Sequence, residues 1–308
     1  MTETVAKQRH ALDTFAVVLL VILCASWGLQ QISIKVANQG MPPLLQSGIR
    51  SAGACILLFI WMLIRREPIL EKDGSLWWGI IAGLLFSGQF LLVYWGLDFT
   101  LASRSSIFLF LSPFVVAFGA QILIPGENLG LVQTFGLIGA FLGIVLAFRE
   151  SLSFPSNEML IGDSMIVGAA VLWGSTTVLI KASPLIRIKS SKTLLYQLAV
   201  SATTLPILSW LKGEFGKIVL TPLTIGCILY QVIWVAFITY LAWFWLIRHY
   251  PPSRVASFTF LTPLFGVLFG RILLNDPISY MLIISLVLVA GGIYLVNTKN
   301  TLLSFGDK

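Results

Sequence analysis

The chain has 308 residues, of which 57% are hydrophobic and only 11% are charged, and its formal net charge is +7. This apolar fraction exceeds what a single soluble core buries, so the composition excludes an ordinary soluble domain and predicts a membrane protein. The basic residues are dispersed in short loops between apolar runs. This dispersal favours a role in orienting the chain in the lipid bilayer and argues against nucleic-acid binding.

Ten apolar runs approach the length of about 20 residues that a membrane-crossing helix needs. The first run, from Thr14 to Ile34, is long enough to span a bilayer and has no small-residue cleavage site after it, so we expect it to be retained. The predicted spans lie near residues 14–36, 44–64, 76–97, 104–124, 131–148, 164–182, 193–211, 223–247, 254–274 and 279–297.

Two motifs occur twice in the chain. The segment Ser103–Pro113 returns 150 residues later as Ser253–Pro263, with the same Ser-Arg, Phe-Leu and Pro positions. The segment Trp27–Lys35 returns 146 residues later as Trp173–Lys181, with the same Trp-Gly and Ile-Lys positions. Shared apolar composition does not explain the matched Arg, Lys and Pro residues, so we infer a duplication.

Five spans in each half mean that the second half enters the membrane from the opposite side, which is an inverted repeat. The sequence thus predicts an all-α integral membrane protein with ten transmembrane helices in two inverted five-helix repeats. Of the 20 basic residues, 13 fall on the side of the N-terminus, which predicts that both termini are cytoplasmic. The predicted parts are a tail at 1–13, a first repeat at 14–148, a connecting loop at 149–163, a second repeat at 164–297 and a tail at 298–308.

The sequence offers no recognisable catalytic or cofactor chemistry. Cys24, Cys55 and Cys227 lie inside apolar runs without the spacing of metal ligands, so we predict neither a metal site nor a disulfide framework. A phosphate-binding loop, a His cluster and a nucleophile–base pair are also missing from the sequence. We therefore expect no enzyme, no ATP-driven pump and no cofactor. Mid-membrane carboxylates, which proton- and sodium-driven carriers commonly use, are absent apart from Asp98 at the end of the third run.

Several motifs follow one another in a recognisable order. In the first half they are Trp27-Gly28, Tyr94–Gly96 leading into Ala102-Ser103, Leu111–Pro113 and Gly126-Glu127, and in the second half Trp173-Gly174, Ser253-Arg254 and Leu261–Pro263. This order resembles the EamA-type members of the drug/metabolite transporter superfamily over residues 14–297. The second half departs from it, because Asn275-Asp276-Pro277 stands where the first half has Gly126-Glu127.

The resemblance implies the export or exchange of small metabolites through a central cavity. Spans 1 to 4 and 6 to 9 would form the cavity, and spans 5 and 10 would lie at the periphery. It specifies the fold and leaves the substrate open. We expect a multi-pass protein of a bacterial inner membrane, as a monomer or a homodimer, with no nucleic-acid partner.

Polar side chains inside a bilayer are costly, so they are candidates for function. In the first span Trp27, Gln31 and Lys35 recur every four residues and share one helix face, and Trp173, Thr177 and Lys181 do so in the sixth. The two faces are predicted to line one cavity. The alternative for both lysines is that they lie near span ends and extend their ammonium groups to the interface.

Arg50, six residues into the second span, is the sharpest single candidate. Its guanidinium either pairs with a polar group on a neighbouring helix, for which Asp98 is the nearest carboxylate, or binds an anionic group of a ligand. Aromatic rings in the same spans are expected to enclose an apolar side chain or a cation. The predicted substrate-binding residues are Trp27, Gln30, Gln31, Lys35, Arg50, Gln89, Tyr94, Trp95, Trp173, Thr177, Gln197, Gln231, Trp234, Tyr240 and Trp243.

Pro113 and Pro263 are predicted to bend spans 4 and 9, because a proline within a helix leaves a carbonyl without its donor. Paired bends in two inverted repeats are candidate hinges. The adjacent hydroxyls of Ser112 and Thr262 are expected to satisfy the carbonyls freed by the prolines.

We predict a secondary transporter of small organic solutes that works by alternating access, as an exporter or exchanger of amino acids or related metabolites. The alternatives are a multidrug exporter or an importer of nucleotide-like metabolites with the same fold. From a different class, a non-transporting membrane scaffold remains open at this point.

Overall fold

The structure, a computed structural model, describes residues 11–69, 71, 73–100, 102–149, 155–214, 218–274 and 280–298. Within these residues the secondary structure is helical, and none of them lies in a strand. The α-helices are α1 Thr14–Ala37, α2 Pro43–Ile64, α3 Leu76–Gly96, α4 Ala102–Leu109, α5 Ser112–Leu123, α6 Leu131–Ala147, α7 Asn157–Ala182, α8 Ser190–Leu211, α9 Pro222–Leu229, α10 Tyr240–His249, α11 Pro252–Ser257, α12 Leu261–Leu274 and α13 Tyr280–Asn297.

Eight helical runs in the described part of the chain are long and apolar enough to cross a membrane. Five of them are the single helices α1, α2, α3, α7 and α8, and the other three are the composite runs Arg104–Leu123, Pro222–His249 and Pro252–Leu273. The remaining two apolar helices, Leu131–Ala147 and Ile283–Asn297, are shorter. The prediction of an all-α membrane protein is confirmed, and each of the ten predicted runs has a helical counterpart.

The two composite runs that contain the repeated prolines are interrupted just before those prolines. α4 ends at Leu109, and α5 begins at Ser112 with Pro113 in its first turn. In the second half a 3₁₀ turn, Phe258–Phe260, separates α11 from α12, which contains Pro263. Proline provides no amide hydrogen, which accounts for the break on its N-terminal side.

The hydroxyl of Thr262 has no hydrogen-bond partner among the described residues. The expectation that it satisfies the carbonyl freed by Pro263 is therefore wrong.

The remaining composite run contains a feature that the sequence did not signal. Between α9 and α10, residues Tyr230–Thr239 form a π-helix of 10 residues. π-Helical segments, which have i→i+5 hydrogen bonds, are rare and are frequently found at functional sites.

The two repeats interlock in two bundles. In the first bundle α1 packs between the α9–α10 run and α12, and in the second bundle α7 packs between α3 and the α4–α5 run. Helices α2 and α8 cross one another, and α6 packs against α13. Each bundle therefore combines one helix of one repeat with two spans of the other, so neither repeat forms its bundle alone.

The glycine of the repeated Trp-Gly motif makes the close helix contact in each bundle. A Cβ atom on Gly28 of α1 would lie 2.7 Å from the Cβ atom of Phe265 in α12. A Cβ atom on Gly174 of α7 would lie 2.6 Å from the Cβ atom of Val115 in α5. The motif is explained by packing, because only a residue without a side chain allows the two helix backbones to approach this closely.

A buried ion pair joins the repeats in the second bundle. The guanidinium of Arg104, in α4, lies 2.5 Å from the carboxylate of Asp163, in α7. The hydroxyl of Thr100 donates to the same carboxylate at 2.6 Å. Since the charges are paired and hydrogen-bonded, the cost of burying them is offset.

Candidate functional site

A central cavity of about 130 Å³ lies between the two bundles. Its wall is mostly aromatic and aliphatic with several amides and hydroxyls, and no residue in the wall is charged. The lining residues are Trp27, Gln30, Gln31, Ile34, Phe86, Gln89, Phe90, Val93, Tyr94, Leu97, Leu109, Phe110, Trp173, Thr176, Thr177, Gln197, Tyr240, Trp243, Phe244 and Thr262. Such a wall suits a small solute with an apolar part and a few polar atoms.

Trp27 is the centre of the aromatic part of the wall. Its ring lies 5.2 Å from that of Trp243 and 6.2 Å from that of Tyr240, both in edge-on geometry. Its indole nitrogen donates to the hydroxyl of Thr239 at 2.9 Å. This hydrogen bond fixes the orientation of the ring, so the wall is preorganised at this position.

On the opposite bundle, Trp173 faces Phe110 with ring centroids 6.1 Å apart. Phe86 of α3 contacts Tyr240 of α10 across the cavity at 5.8 Å. The rings of both bundles therefore meet around one space.

Four glutamines contribute amide groups to the wall, and three of them, Gln30, Gln89 and Gln197, are buried. Gln30 and Gln89 are buried, and the side chain of neither forms a hydrogen bond with another described residue. Gln197 donates to the carbonyl of Thr193 at 3.4 Å, whereas its side-chain oxygen has no partner in the described part of the chain. Buried amides are normally hydrogen-bonded, so these groups are available to polar atoms of a ligand.

The structure brings ten of the fifteen predicted residues together in this wall. They are Trp27, Gln30, Gln31, Gln89, Tyr94, Trp173, Thr177, Gln197, Tyr240 and Trp243. The other five, Lys35, Arg50, Trp95, Gln231 and Trp234, lie outside it. Spans 1, 3, 4, 6, 7, 8 and 9 thus contribute lining residues, whereas no described residue of span 2 does. The role of each residue in binding stays a prediction.

Trp95, Gln231 and Trp234 lie outside the wall because their helix faces point elsewhere. Trp95 is 43% exposed on the outside of α3. Gln231 donates to the hydroxyl of Ser33 in α1 at 3.2 Å, and Trp234 donates to that of Ser26 at 2.9 Å. Both contacts start from the π-helix, so these two residues hold the span against α1.

The two repeat-related lysines differ from one another. Lys35 is exposed near the end of α1, one residue beyond Ile34 of the cavity wall. Lys181 is buried and donates to the carbonyls of Ile247, Arg248 and Tyr250 at 2.9, 3.3 and 3.0 Å. Lys181 is not among the lining residues of the cavity, and its ammonium group instead caps the C-terminus of α10. Its extension to the interface stays a prediction.

Arg50 lies behind the cavity wall. It is 1% exposed, its guanidinium carbon lies 4.1 Å from the ring centroid of Phe90, and one of its nitrogens donates to Ser47 at 3.3 Å. The other two guanidinium nitrogens have no hydrogen-bond partner among the described residues. Asp98, the partner considered above, pairs instead with Lys212 at 2.5 Å, because it follows the end of α3 at an exposed position.

The structure also places in the wall residues that we did not predict. Phe86, Phe90 and Tyr94 form a ladder on α3, with centroid distances of 4.9 and 6.4 Å between successive rings. Their spacing of four residues was visible in the sequence and could have identified the first two. The other unpredicted lining residues are Ile34, Val93, Leu97, Leu109, Phe110, Thr176, Phe244 and Thr262. Most of these are aliphatic or aromatic, and an apolar residue in an apolar span carries no signal of its own.

These features define the class of the molecule: a multi-pass membrane protein whose two repeated halves enclose a central cavity. The chain belongs to the EamA-like transporter family, whose family model matches residues 14–149 and again residues 160–298. The two matches coincide with the two halves inferred from the repeated motifs.

Curated relatives are similar over nearly their full length. "Uncharacterized transporter YvbV" of Bacillus subtilis is 29% identical over 287 residues, with 93% of each chain covered. A "probable amino-acid metabolite efflux pump" of Salmonella typhimurium is 26% identical, covering 92% of this chain and 94% of the relative. A solved crystal structure with 16% identity has a TM-score of 0.79, covering 95% of this chain and 100% of the other. It supports the fold alone.

Proposed function

We propose that this protein is a secondary transporter that exports or exchanges amino acids or related small metabolites by alternating access. The observation that carries the proposal is the central cavity, whose ring-lined wall contains amide groups. Among them, the side-chain oxygen of Gln197 has no hydrogen-bond partner in the described part of the chain. An amino acid offers a side chain for the rings and polar groups for the amides. Two bacterial relatives are named probable amino-acid metabolite efflux pumps, which supports this substrate class.

Arg50 is the proposed anchor for the substrate carboxylate. Two of its guanidinium nitrogens have no partner in the described residues, and the ring of Phe90 is the layer between the guanidinium and the cavity. Rotation of this ring would expose guanidinium donors, and a charged donor forms a strong hydrogen bond with a carboxylate. Tyr94, which lies in the wall, is also close to Arg50.

The experiment is counterflow in proteoliposomes with a panel of radiolabelled amino acids. For the best substrate, the corresponding amide is then tested, which keeps the side chain and removes the carboxylate. We expect the wild type to prefer the acid, and Arg50→Met to lose about ten-fold or more of this preference, since a hydrogen bond to a charged group contributes about 1.5–3 kcal/mol. Arg187→Met, which removes an exposed arginine, is the matched control and should leave the preference unchanged.

Three outcomes would contradict the proposal. If the wild type exchanges the acid and the amide equally, Arg50 is not an anchor for the carboxylate. This outcome does not depend on whether Arg50→Met folds. Exchange of aromatic cations without exchange of amino acids favours the multidrug alternative. Absence of exchange for every solute favours the scaffold alternative.

For the topology, we propose a bacterial inner membrane with both termini in the cytoplasm. The basis is the bias of basic residues toward the N-terminal side. The loop between α8 and α9 then faces outward. A cysteine replacing Leu220, which is 57% exposed in this loop, should react with an impermeant reagent in intact cells. Reaction only after permeabilisation would reverse the orientation.

A further inference from the structure

Lys181 closes one end of the molecule by joining the two bundles. The residue is at the end of α7, in the second bundle, and its ammonium group donates to three carbonyls at the end of α10, in the first bundle. The last carbonyls of a helix have no partner within the helix and carry partial negative charge, so an ammonium group with three donors suits them. On the same face, Ser253 of α11 donates to Glu127, which follows α5, at 3.2 Å.

The duplication gives each of these residues a counterpart in the other repeat. Lys35 in α1 corresponds to Lys181, at the interval of 146 residues that also relates Trp27 to Trp173. Arg104 and Arg254 correspond at an interval of 150 residues. At the same interval, the acceptors Ile247, Arg248 and Tyr250 correspond to Leu97, Asp98 and Thr100. These three residues directly follow the last residue of α3. Lys35 is therefore the counterpart of the donor, and the C-terminus of α3 is the counterpart of the acceptor.

The two ends of the molecule differ in how far they are closed. Ile180 and Ile247, next to the formed Lys181 contacts, are 2% and 0% exposed and belong to the core. Their counterparts Ile34 and Leu97 are only partly buried and belong to the wall of the cavity. The ammonium group of Lys35 is exposed and makes no hydrogen bond or ion pair with any described residue. The cavity thus extends to the Lys35 end, whereas buried side chains close the Lys181 end.

We propose that Lys35 and Lys181 are alternating latches. Lys181 caps α10 in the conformation described here, and Lys35 caps the C-terminus of α3, through the carbonyls of Leu97, Asp98 and Thr100, when the cavity closes at its end. Each repeat then takes the conformation that the other has now, which an inverted duplication permits at similar energy. The inference rests on alternating access in the proposed function, and its test measures conformation and not transport.

The test uses single cysteines in a background without Cys24, Cys55 and Cys227. Leu97→Cys reports access to the Lys35 end, and Ile247→Cys reports access to the Lys181 end. The rate at which each cysteine reacts with a small polar thiol reagent is measured on purified protein in detergent, where both ends are reachable. Lys35→Met should raise the ratio of the Leu97→Cys rate to the Ile247→Cys rate by about ten-fold or more, because losing one charged hydrogen bond shifts an equilibrium by at least that factor.

Lys181→Met should shift the same ratio in the opposite direction, since it releases the closed end. Lys35→Arg keeps the charge and several donors and should stay near the wild-type ratio. Arg149→Met is the matched control, because it removes an exposed cation that follows α6, at the Lys35 end. It should leave the ratio near the wild-type value.

An unchanged ratio in Lys35→Met overturns the proposal. A shift of the same sign in both lysine variants also overturns it. Because Lys181 is buried, its variant is first checked for a single symmetric elution peak. If that variant does not fold, Lys35→Met with its two controls still decides the question. Failure to find any transported solute would remove the proposed function and would leave the rate measurements valid.

Discussion

The hydroxyl oxygen of Ser51, in α2, lies 3.0 Å from that of Ser201, in α8, and the two residues are 150 positions apart in the chain. α2 and α8 are the second helices of the two repeats, and they pack against each other. A contact between equivalent helices of two repeats lies near the axis that relates the repeats. The serine pair therefore joins the two repeats near that axis, at the crossing point of α2 and α8.

This crossing point should move little when the two repeats exchange conformations. We expect a disulfide between Ser51→Cys and Ser201→Cys, in the background without native cysteines, to leave both ends able to open. The measurement is the ratio of labelling rates at Leu97→Cys and Ile247→Cys, each in a separate sample. The cysteine pair is oxidised first, and the labelling is done without reductant. If Lys35→Met no longer changes the ratio of labelling rates in the disulfide-linked protein, the crossing point itself moves between the two conformations.

Gly28→Ala should destabilise the protein by about 1–3 kcal/mol, the usual cost of overpacking. The added Cβ atom would lie 2.7 Å from the Cβ atom of Phe265 and 2.8 Å from the backbone nitrogen of Gly266. A backbone atom cannot relieve this overlap by a change of side-chain rotamer. Gly139→Ala is the matched control, because nothing lies within 4 Å of the added atom. Thermal unfolding in detergent should show a loss for Gly28→Ala alone, and equal midpoints in the two variants would contradict the close contact between α1 and α12.

Asp163→Asn should destabilise the protein strongly, by about 3–5 kcal/mol, because it leaves the buried guanidinium of Arg104 without its countercharge. Asp98→Asn removes one member of the exposed pair with Lys212 and should cost about 1 kcal/mol or less. The measurement is again the unfolding midpoint. Similar midpoints in the two variants would mean that the Arg104 pair does not hold α4 against α7.

Asp73, in the loop between α2 and α3, should make stability depend on pH. Its partial burial opposes ionisation, but hydrogen bonds from Lys192 at 2.7 Å and from Ser75 outweigh this, and the pKa of Asp73 lies below its usual 3.8. A lowered pKa stabilises the folded state above the unfolded value, and this contribution disappears as the pH falls through the folded value. We expect the difference in unfolding midpoint between the wild type and Asp73→Asn to be full near pH 6 (about two units above the usual value) and to shrink below 3.8. A difference that does not change over this range would contradict the assignment.

Pro113→Ala and Pro263→Ala test the predicted hinges. Helix breaks precede both prolines, at the predicted positions. If the inverted repeats exchange conformations, stiffening one break should favour one open end, and stiffening the other should favour the opposite end. The two variants should therefore shift the Leu97→Cys to Ile247→Cys labelling ratio in opposite directions. Shifts of the same sign would leave the prolines as packing features.

The sequence by itself determined the ten apolar runs, the duplication and the positions of the helix breaks. These depend on properties that act locally: the length needed to cross hydrocarbon, the missing amide hydrogen of proline, and motifs repeated at fixed intervals. The wall residues Trp27, Gln31, Trp173 and Thr177 were also predictable, because helical spacing places each pair on one face.

Only the tertiary structure decided the roles of residues that look alike in the sequence. Lys35 and Lys181 occupy equivalent positions in the two repeats, yet one is exposed and the other caps α10, because only one end of the molecule is closed. Arg50 sits behind Phe90 and not in the wall, since the crossing of helices, which local sequence does not encode, sets which ring covers it. Gln231 and Trp234 lie in the π-helix and donate to Ser33 and Ser26 of α1. The i→i+5 hydrogen bonds of a π-helix change which residues share a face, so the α-helical spacing used on the sequence did not locate these side chains.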